Sequence, residues 1–266
     1  MTSQYRDILY EVRDQVARIV INRPKQYNAF TGDTLKEMTL ALEAAHTDPE
    51  VGVVVLTGAG DKAFSAGGDV NWEKTGGADR LILEPYNFHY TLSRCIKPII
   101  ARVNGYAIGA GNHIAYYCDF TIAADHAIFG QNGPRVGSPA TGPIVNYSAR
   151  ILGHKRAREM WMLARRIPAQ KALEWGLVNA VVPMAQLDEE VQKWCDELLA
   201  LSPTCLKILK ASFIDEYEDL LGQYDRTRRL MLTPDFWEGE QQEGANAFLE
   251  KRKPDFRRFR KARAKS

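Results

Sequence analysis

Cysteine is sparse and scattered in this 266-residue chain: Cys95, Cys118, Cys195 and Cys205 form no CxxC pair and no Cys/His metal spacing. They read as buried, reduced, small apolar side chains. The five histidines (His46, His89, His113, His126 and His154) include neither HExxH nor HxH, so no metal site is expected. No apolar run approaches the roughly 20 residues that a membrane-crossing helix needs. The opening MTSQYRDILYEVRD mixes charged with apolar residues and lacks the apolar core of a signal peptide. A soluble, cytoplasmic protein with no membrane partner is therefore expected. Neither GxxxxGK(S/T) nor a clean GxGxxG occurs, which disfavours a nucleotide-phosphate cradle. Low-complexity linkers are missing as well, so two flexibly joined domains are not expected.

What is present is ordinary for a globular chain, with 45% hydrophobic and 26% charged residues. A chain of this length buries about 70% or more of its unfolded surface and needs no disulfide or structural metal. The near-balance of 35 Lys+Arg against 33 Asp+Glu conceals an asymmetry. Residues 251–266, KRKPDFRRFRKARAKS, hold nine basic residues and one acid, which leaves 26 against 32 in the rest. Such a tail suits phosphates, whether of a nucleic acid, a membrane or a phosphorylated cofactor. Only the charge cluster supports a nucleic-acid partner.

Strand and helix patterns alternate along the first two thirds. ILYEVRDQVARIVINRP (8–24) reads as two β segments meeting at Arg13-Asp14-Gln15. TGDTLKEMTLALEAAHTD follows at helical spacing, with Thr31 as its N-cap. VGVVVLTGAG (51–60) is a continuous apolar run ending in glycines, the pattern of a buried strand feeding a loop. A helix around 87–95, the strand-rich KPIIARVNGYAIGAG (97–111), a short helix and the strand CDFTIAAD (118–125) repeat the unit. HKRAREMWMLARR (154–166) reads as one amphipathic helix, PAQKALEWGL (168–177) as another, and GLVNAVVP (176–183) as a short strand. From Ala185 onward only helices are expected. Repeated ββα units with a helical C-terminal region imply an α/β fold, divided into a core over 1–200 and an arm over 201–266.

Two glycine-rich loops follow buried strands: Phe64-Ser65-Ala66-Gly67-Gly68-Asp69 and Gly105-Tyr106-Ala107-Ile108-Gly109-Ala110-Gly111-Asn112. The second opens a helix, whose N-terminus offers unpaired N–H groups and a positive dipole end. Facing one pocket, the two loops would present two N–H donors to one oxygen, an oxyanion hole. Taken singly, either loop could equally be a turn.

AFSAGGDV (63–70), KPIIARVNGYAIGAGNHIAYYCDFTIAADHAIFGQNGPRVG (97–137) and AQKALEWGLVNAVVP (169–183) resemble the crotonase, or enoyl-CoA hydratase/isomerase, superfamily. The resemblance covers nearly the whole chain. IFGQNGPRVGS, HKRAREMWM and EGANAFLEKRKPDF are most similar to the branch of 1,4-dihydroxy-2-naphthoyl-CoA synthase and 2-ketocyclohexanecarboxyl-CoA hydrolase. It implies a spiral of ββα turns with a helical C-terminal trimerisation region, assembled as a homotrimer or a dimer of trimers. The substrate it implies is a coenzyme A thioester, with no tightly bound cofactor.

The resemblance assigns the oxyanion hole to the N–H groups of Gly68 and Ala110, with Ala66, Asp69 and Trp72 along the same substrate loop. At the positions of the two water-activating glutamates of ordinary hydratases stand His113 and Gly133. The branch is thought to recruit bicarbonate as a surrogate carboxylate, and its contacts match Gln131, Gly133 and Trp161. Ordinary packing competes with that role for Gln131 and Trp161. The branch also uses an aspartate two residues after the serine matching Ser138, and a C-terminal tyrosine; here these are Ala140 and Phe236. Tyr224 or Asp235 would compensate if the second alignment slips. CoA phosphates would meet Arg23, Lys25 and, from a neighbouring subunit, Lys251.

His113 lies in the first turn after Gly109-Ala110-Gly111, where the positive helix end favours a neutral imidazole able to take or give a proton. The alternative is a histidine satisfied by a neighbouring group. Asn112, Ser138, Thr141, Asn146 and Tyr147 are further polar candidates. Asn71–Gly77 reads as a mobile lid whose Glu73 acts as a base only when it closes. The leading expectation is an enolate-stabilising acyl-CoA enzyme of lyase or hydrolase type, making or cutting C–C bonds in a cyclic or bulky substrate. Behind it stand a hydratase or isomerase using His113 or bicarbonate, an RNA-binding homologue, and a catalytically silent scaffold.

Overall fold

The computed structural model describes residues 5–77, 88–138, 140, 142–221 and 235–256; for residues 214–221 and 235–237 it describes the backbone alone. Strands β1 (Ile8–Arg13) and β2 (Val16–Ile21) form an antiparallel hairpin. Asp14 and Gln15 both adopt positive φ, 48° and 64°, as a two-residue turn matched to strand twist requires. Helix α1 (Gly32–Thr47) then crosses over to β3 (Val53–Gly58), which lies parallel to β2. Thr31 caps α1 by accepting from the Thr34 N–H, and Thr34 reciprocates with its hydroxyl. Leu35, Met38, Leu42 and Ala45 face the core at helical spacing.

The same crossover repeats. Strands β5 (Ile99–Val103), β7 (Phe120–Ala124) and β10 (Ala180–Val182) extend a six-stranded sheet in the order β1-β2-β3-β5-β7-β10. After β3, β5 and β7 comes each time a three-residue strand of a second sheet: β4 (Ala63–Ser65), β6 (Tyr106–Ile108) and β8 (Ile128–Gly130). With β9 (Arg166–Pro168) they are ordered β4-β6-β8-β9. The chain thus winds as a spiral of ββα turns, and β3, buried at all six positions, lies between two layers. The larger core joins the inner face of the big sheet to α1 and the later helices. On the outer face Val53, Val55, Ile100 and Ile122 meet Leu187, Val191 and Cys195 of the helix Leu187–Leu199.

The stretch 154–166 does not continue as one helix. It is helical over His154–Met162 only, after which Ala164 turns at φ 49° and Arg166–Pro168 pairs antiparallel with β8. Pairing with the β8 edge takes precedence over a local amphipathic pattern, and Met162 and Leu163 are left 70% and 55% exposed. Of the cysteines, Cys95, Cys118 and Cys195 are buried as expected, while Cys205 is exposed; all four are free thiols. Helices Pro203–Leu221 and Gln242–Leu249 follow. Among the described residues no helix is long and apolar enough to cross a membrane.

Candidate active site

The short strands β4 and β6 run parallel and release their loops side by side. The Ser65 hydroxyl accepts from the Gly67 N–H at 3.1 Å, which folds the first loop over the end of its own strand. The second loop presses against it so closely that only glycine fits. A Cβ at Gly111 would stand 2.2 Å from the Ser65 carbonyl oxygen. At Gly67, where φ is +92°, a Cβ would stand 2.9 Å from the Ile108 carbonyl oxygen and 3.1 Å from the Ala110 nitrogen. Those neighbours are backbone and cannot rotate away.

Two N–H groups emerge from this contact with no hydrogen-bond partner among the described residues. Phe30 bridges the first loop by donating to the Gly67 carbonyl and accepting from Asp69, both at 2.9 Å. In such a parallel ladder the residue between, Gly68, directs its own N–H to the opposite side. Ala110 is the first residue of the helix Ala110–Tyr117, where an N–H has no intrahelical acceptor. Its neighbours are engaged, since Gly109 donates to the Gly130 carbonyl and His113 closes the first turn onto the Gly109 carbonyl. Both Gly68 and Ala110 are partly exposed. A pair of fixed donors at a helix end, open to a ligand, can hold an oxygen that gains negative charge.

Beside them stands a carboxyl group. Asp69 caps the short helix Val70–Trp72, accepting from the Asn71 and Trp72 N–H groups at 3.1 and 3.3 Å. The Glu73 N–H closes onto the Asp69 carbonyl at 2.9 Å. The Trp72 ring packs over Gly32, where a Cβ would come within 3.1 Å of it. This turn swings Glu73 back over the first loop, and a Cβ at Gly68 would lie 2.0 Å from Glu73 Oε1. Ser138 hydrogen-bonds the Glu73 carboxyl. Burial, with Asp69 adding its negative charge, pushes the Glu73 pKa up to about 7 against the opposing Ser138 bond. The stretch expected as a lid is helical over Val70–Trp72 and then turns over Glu73–Gly77, where Thr75 and Gly76 leave helical φ/ψ; the Lys74 carbonyl accepts from Gln242 Nε2 at 3.4 Å.

His113 lies deeper, 5% exposed. Its Nε2 meets Gln131 Oε1 at 2.9 Å, and its ring is tilted 33° over Trp161 with centroids 5.2 Å apart. Burial, with His89 close by, holds its pKa down at about 3, so the ring is neutral. The Trp161 indole N–H donates to Ser148 Oγ at 2.8 Å. Gln131 Nε2 and Asn112 Oδ1 are buried with no hydrogen-bond partner among the described residues. Gly133 opens the short helix Gly133–Val136 and accepts the Ser138 N–H at 3.1 Å.

The expected CoA cations divide. Arg23 is held inside the fold, by Asp7 at 3.7 Å, Asp69 at 3.3 Å and the Ala29 carbonyl. Lys25 is exposed on the turn Pro24–Gln26. Lys251 is exposed just past the helix Gln242–Leu249. Ala66 donates to the Tyr27 carbonyl at 3.0 Å. Ala140 packs against the larger core. Tyr147 stacks on Tyr117 at 4.9 Å. Thr141, Tyr224 and the tail from 257 lie outside the described residues, as do the side chains of Asp235 and Phe236.

Two residues absent from the sequence reading brace the loops. Asn28 Nδ2 donates to the Ala59 and Ala63 carbonyls, and Asn104 Nδ2 to those of Gly58, Gly60 and Ala63. An asparagine before a glycine, as in Asn104-Gly105, was the available signal, but it says turn and not brace.

A ββα spiral with two free main-chain donors at the ends of its inner strands defines the crotonase class of α/β enzymes. The chain belongs to the enoyl-CoA hydratase/isomerase family, whose sequence pattern it matches over residues 11–259. An enoyl-CoA hydratase structure from Mycobacterium avium subsp. paratuberculosis K-10 is 33% identical, with a TM-score of 0.81 over 95% of this chain and 99% of that one. An enoyl-CoA hydratase/isomerase from Xanthobacter autotrophicus Py2 is 31% identical, with a TM-score of 0.80 over 93% and 97%. A methylmalonyl-CoA decarboxylase in complex with 2-nitronate-propionyl-CoA is 27% identical, with a TM-score of 0.81 over 95% and 98%. The chain is accordingly a crotonase-superfamily enzyme of the acyl-CoA hydratase, isomerase or decarboxylase type.

Proposed function

We propose that this enzyme binds a cyclic or otherwise bulky acyl-CoA and makes or breaks a C–C bond through a thioester enolate. The observation that carries the reading is the pair of N–H groups at Gly68 and Ala110, without partners among the described residues, on two loops in backbone contact. In this reading they receive the thioester oxygen as it gains charge, a contribution worth about 10²–10³ in rate per donor. The solved decarboxylase named above was captured with a nitronate analogue, a ligand that carries negative charge where an enolate would. Replacement of the hydratase glutamates by a buried neutral His113 and by Gly133 argues against simple hydration. The resemblance of IFGQNGPRVGS, HKRAREMWM and EGANAFLEKRKPDF to the naphthoyl-CoA synthase and ketocyclohexanecarboxyl-CoA hydrolase branch supports a ring-bearing acyl group. Lys25, and Lys251 from a neighbouring subunit of a trimer or hexamer, would meet the CoA phosphates.

Bicarbonate as a stand-in carboxylate is a second reading for the missing base, favoured by Gln131 Nε2, which is buried without a partner among the described residues. Trp161 would serve there as a wall, because its N–H is committed to Ser148. Incubation with a panel of cyclic and linear acyl-CoAs, with and without bicarbonate, followed by mass spectrometry, tests both. C–C cleavage or ring closure on a cyclic thioester is the expected result. Rapid hydration of crotonyl-CoA would instead assign the enzyme to the hydratases.

A further inference from the structure

We propose that Glu73 is the catalytic acid–base of this site, taking a proton from the acyl α-carbon and returning it. The inference rests on the enolate reading above and adds the group that makes the enolate.

Asp69, His113 and Glu73 stand near the two donor loops, and their surroundings separate them. Asp69 is spent on structure, since its carboxylate caps the helix Val70–Trp72 and pairs with Arg23. His113 is packed against Trp161 with Nε2 on Gln131. Glu73 forms no ion pair among the described residues, and its carboxyl lies against Gly68 itself, one of the two donor residues. A base for enolisation must reach the carbon next to the carbonyl whose oxygen sits between the donors, and a group beside Gly68 meets that requirement. The charged group acting on Glu73 is the Asp69 carboxylate, with the Ser138 hydroxyl as its hydrogen-bond partner. The resulting pKa near neutrality suits a group that must both accept and donate a proton. Ser138 is then a positioning residue that orients the carboxyl.

The step balances without any other reagent. The α C–H pair becomes the carbon–carbon π bond of the enolate. The carbonyl π pair moves to oxygen, which is held by the Gly68 and Ala110 N–H groups. The proton converts Glu73 carboxylate to the acid. Reversal, or delivery of that proton to another carbon, regenerates the carboxylate.

Solvent exchange reads this step directly without the true substrate. Wild-type protein and the Glu73→Gln variant are incubated in D2O, in bicarbonate-free buffer, with butyryl-CoA and with cyclohexanecarbonyl-CoA, and α-deuterium is followed by mass spectrometry. Wild type is expected to incorporate deuterium into at least one probe. E73Q is expected to lose about 10²-fold or more of that rate while keeping its far-UV circular dichroism and its thioester Kd. Ser138→Ala is expected to shift the pH profile of exchange to higher pH, which loss of packing alone would not do. E73Q exchanging within about threefold of wild type overturns the assignment of Glu73 and leaves the enolate reading standing. Exchange that appears only on adding bicarbonate also overturns it, in favour of an anion at Gln131. No exchange by wild type on either probe overturns the enolate reading, and the Glu73 assignment with it.

Discussion

Glu73 occupies the space that a side chain at Gly68 would need, with its Oε1 2.0 Å from the position of a Cβ there. The glycine and the carboxyl therefore depend on each other, although four residues separate them in the sequence. Substitution of Gly68 by alanine keeps the main-chain N–H but forces the flexible end of Glu73 aside. With Glu73 as the base, G68A should lose about tenfold or more in kcat at little cost in stability. Steady-state kinetics paired with thermal melting checks this, and an unchanged kcat would count against the pairing.

The pH dependence has two separable parts. Glu73 must be ionised to accept a proton, so kcat/KM should rise with pH through a midpoint near 7 and level off above it. Its raised pKa makes the folded chain hold a proton that the unfolded chain has released, so Glu73 lowers stability as pH rises from about 4.5 to about 7. His113 acts oppositely. Held at about 3 when folded, against an ordinary value of 6.5, it costs stability as pH falls through that interval. Kinetic profiles and denaturant melts of wild type, E73Q and His113→Gln between pH 4 and 8 would resolve these limbs. An activity limb near 7 that survives in E73Q would sink the first part.

His113→Gln should act mainly on stability. It removes the ring packed on Trp161 and disturbs the Gln131 contact. A loss of about 1–3 kcal/mol is expected, with kcat on the true substrate within about fivefold of wild type. A collapse of kcat with an unchanged melting temperature would restore a chemical role to the imidazole.

Gly111→Ala should be far worse than an ordinary surface change. Its Cβ would enter the 2.2 Å space beside the Ser65 carbonyl and push the two loops apart. Overpacking of this kind costs about 1–3 kcal/mol, and separation of the donors should lower kcat as well. Melting curves with α-exchange rates would show both losses; a variant as stable and active as wild type would refute the close approach.

The two basic residues after the hairpin should behave differently. Lys25→Ala is expected to raise KM for acyl-CoA several-fold with kcat unchanged, because an exposed lysine on a turn contributes binding alone. Arg23→Ala should also lower the melting temperature, since it removes the cation of Asp69 and leaves Asp7 with the exposed Arg6 alone. Equal effects of the two variants would contradict this division.

Much of the spiral was legible in the chain. The buried run at 53–58, the hairpin at 8–21 and the capped helix from Thr31 each depend on local pattern, and each lies where the pattern puts it. The three-residue strands β6, β8 and β9 were not legible, because a segment that short has no periodicity and exists only through its neighbours. The helix reading at 163–166 failed for the same reason: the β8 edge captures Arg166–Pro168. At the site, the glycines of both donor loops were visible as a composition. Glu73 was visible only as a conditional base in an apparent lid.

The linear order of residues determined the repeated ββα unit, the two glycine-rich loops and the family, because these rest on local propensity and on several motifs in sequence. Which side chain stands beside the donors was decided in three dimensions. An Asp69-capped turn carries Glu73 back onto Gly68, while His113 is buried against Trp161 with its Nε2 on Gln131. Proton affinity follows from that placement, since desolvation and neighbouring charge act through space and not along the chain.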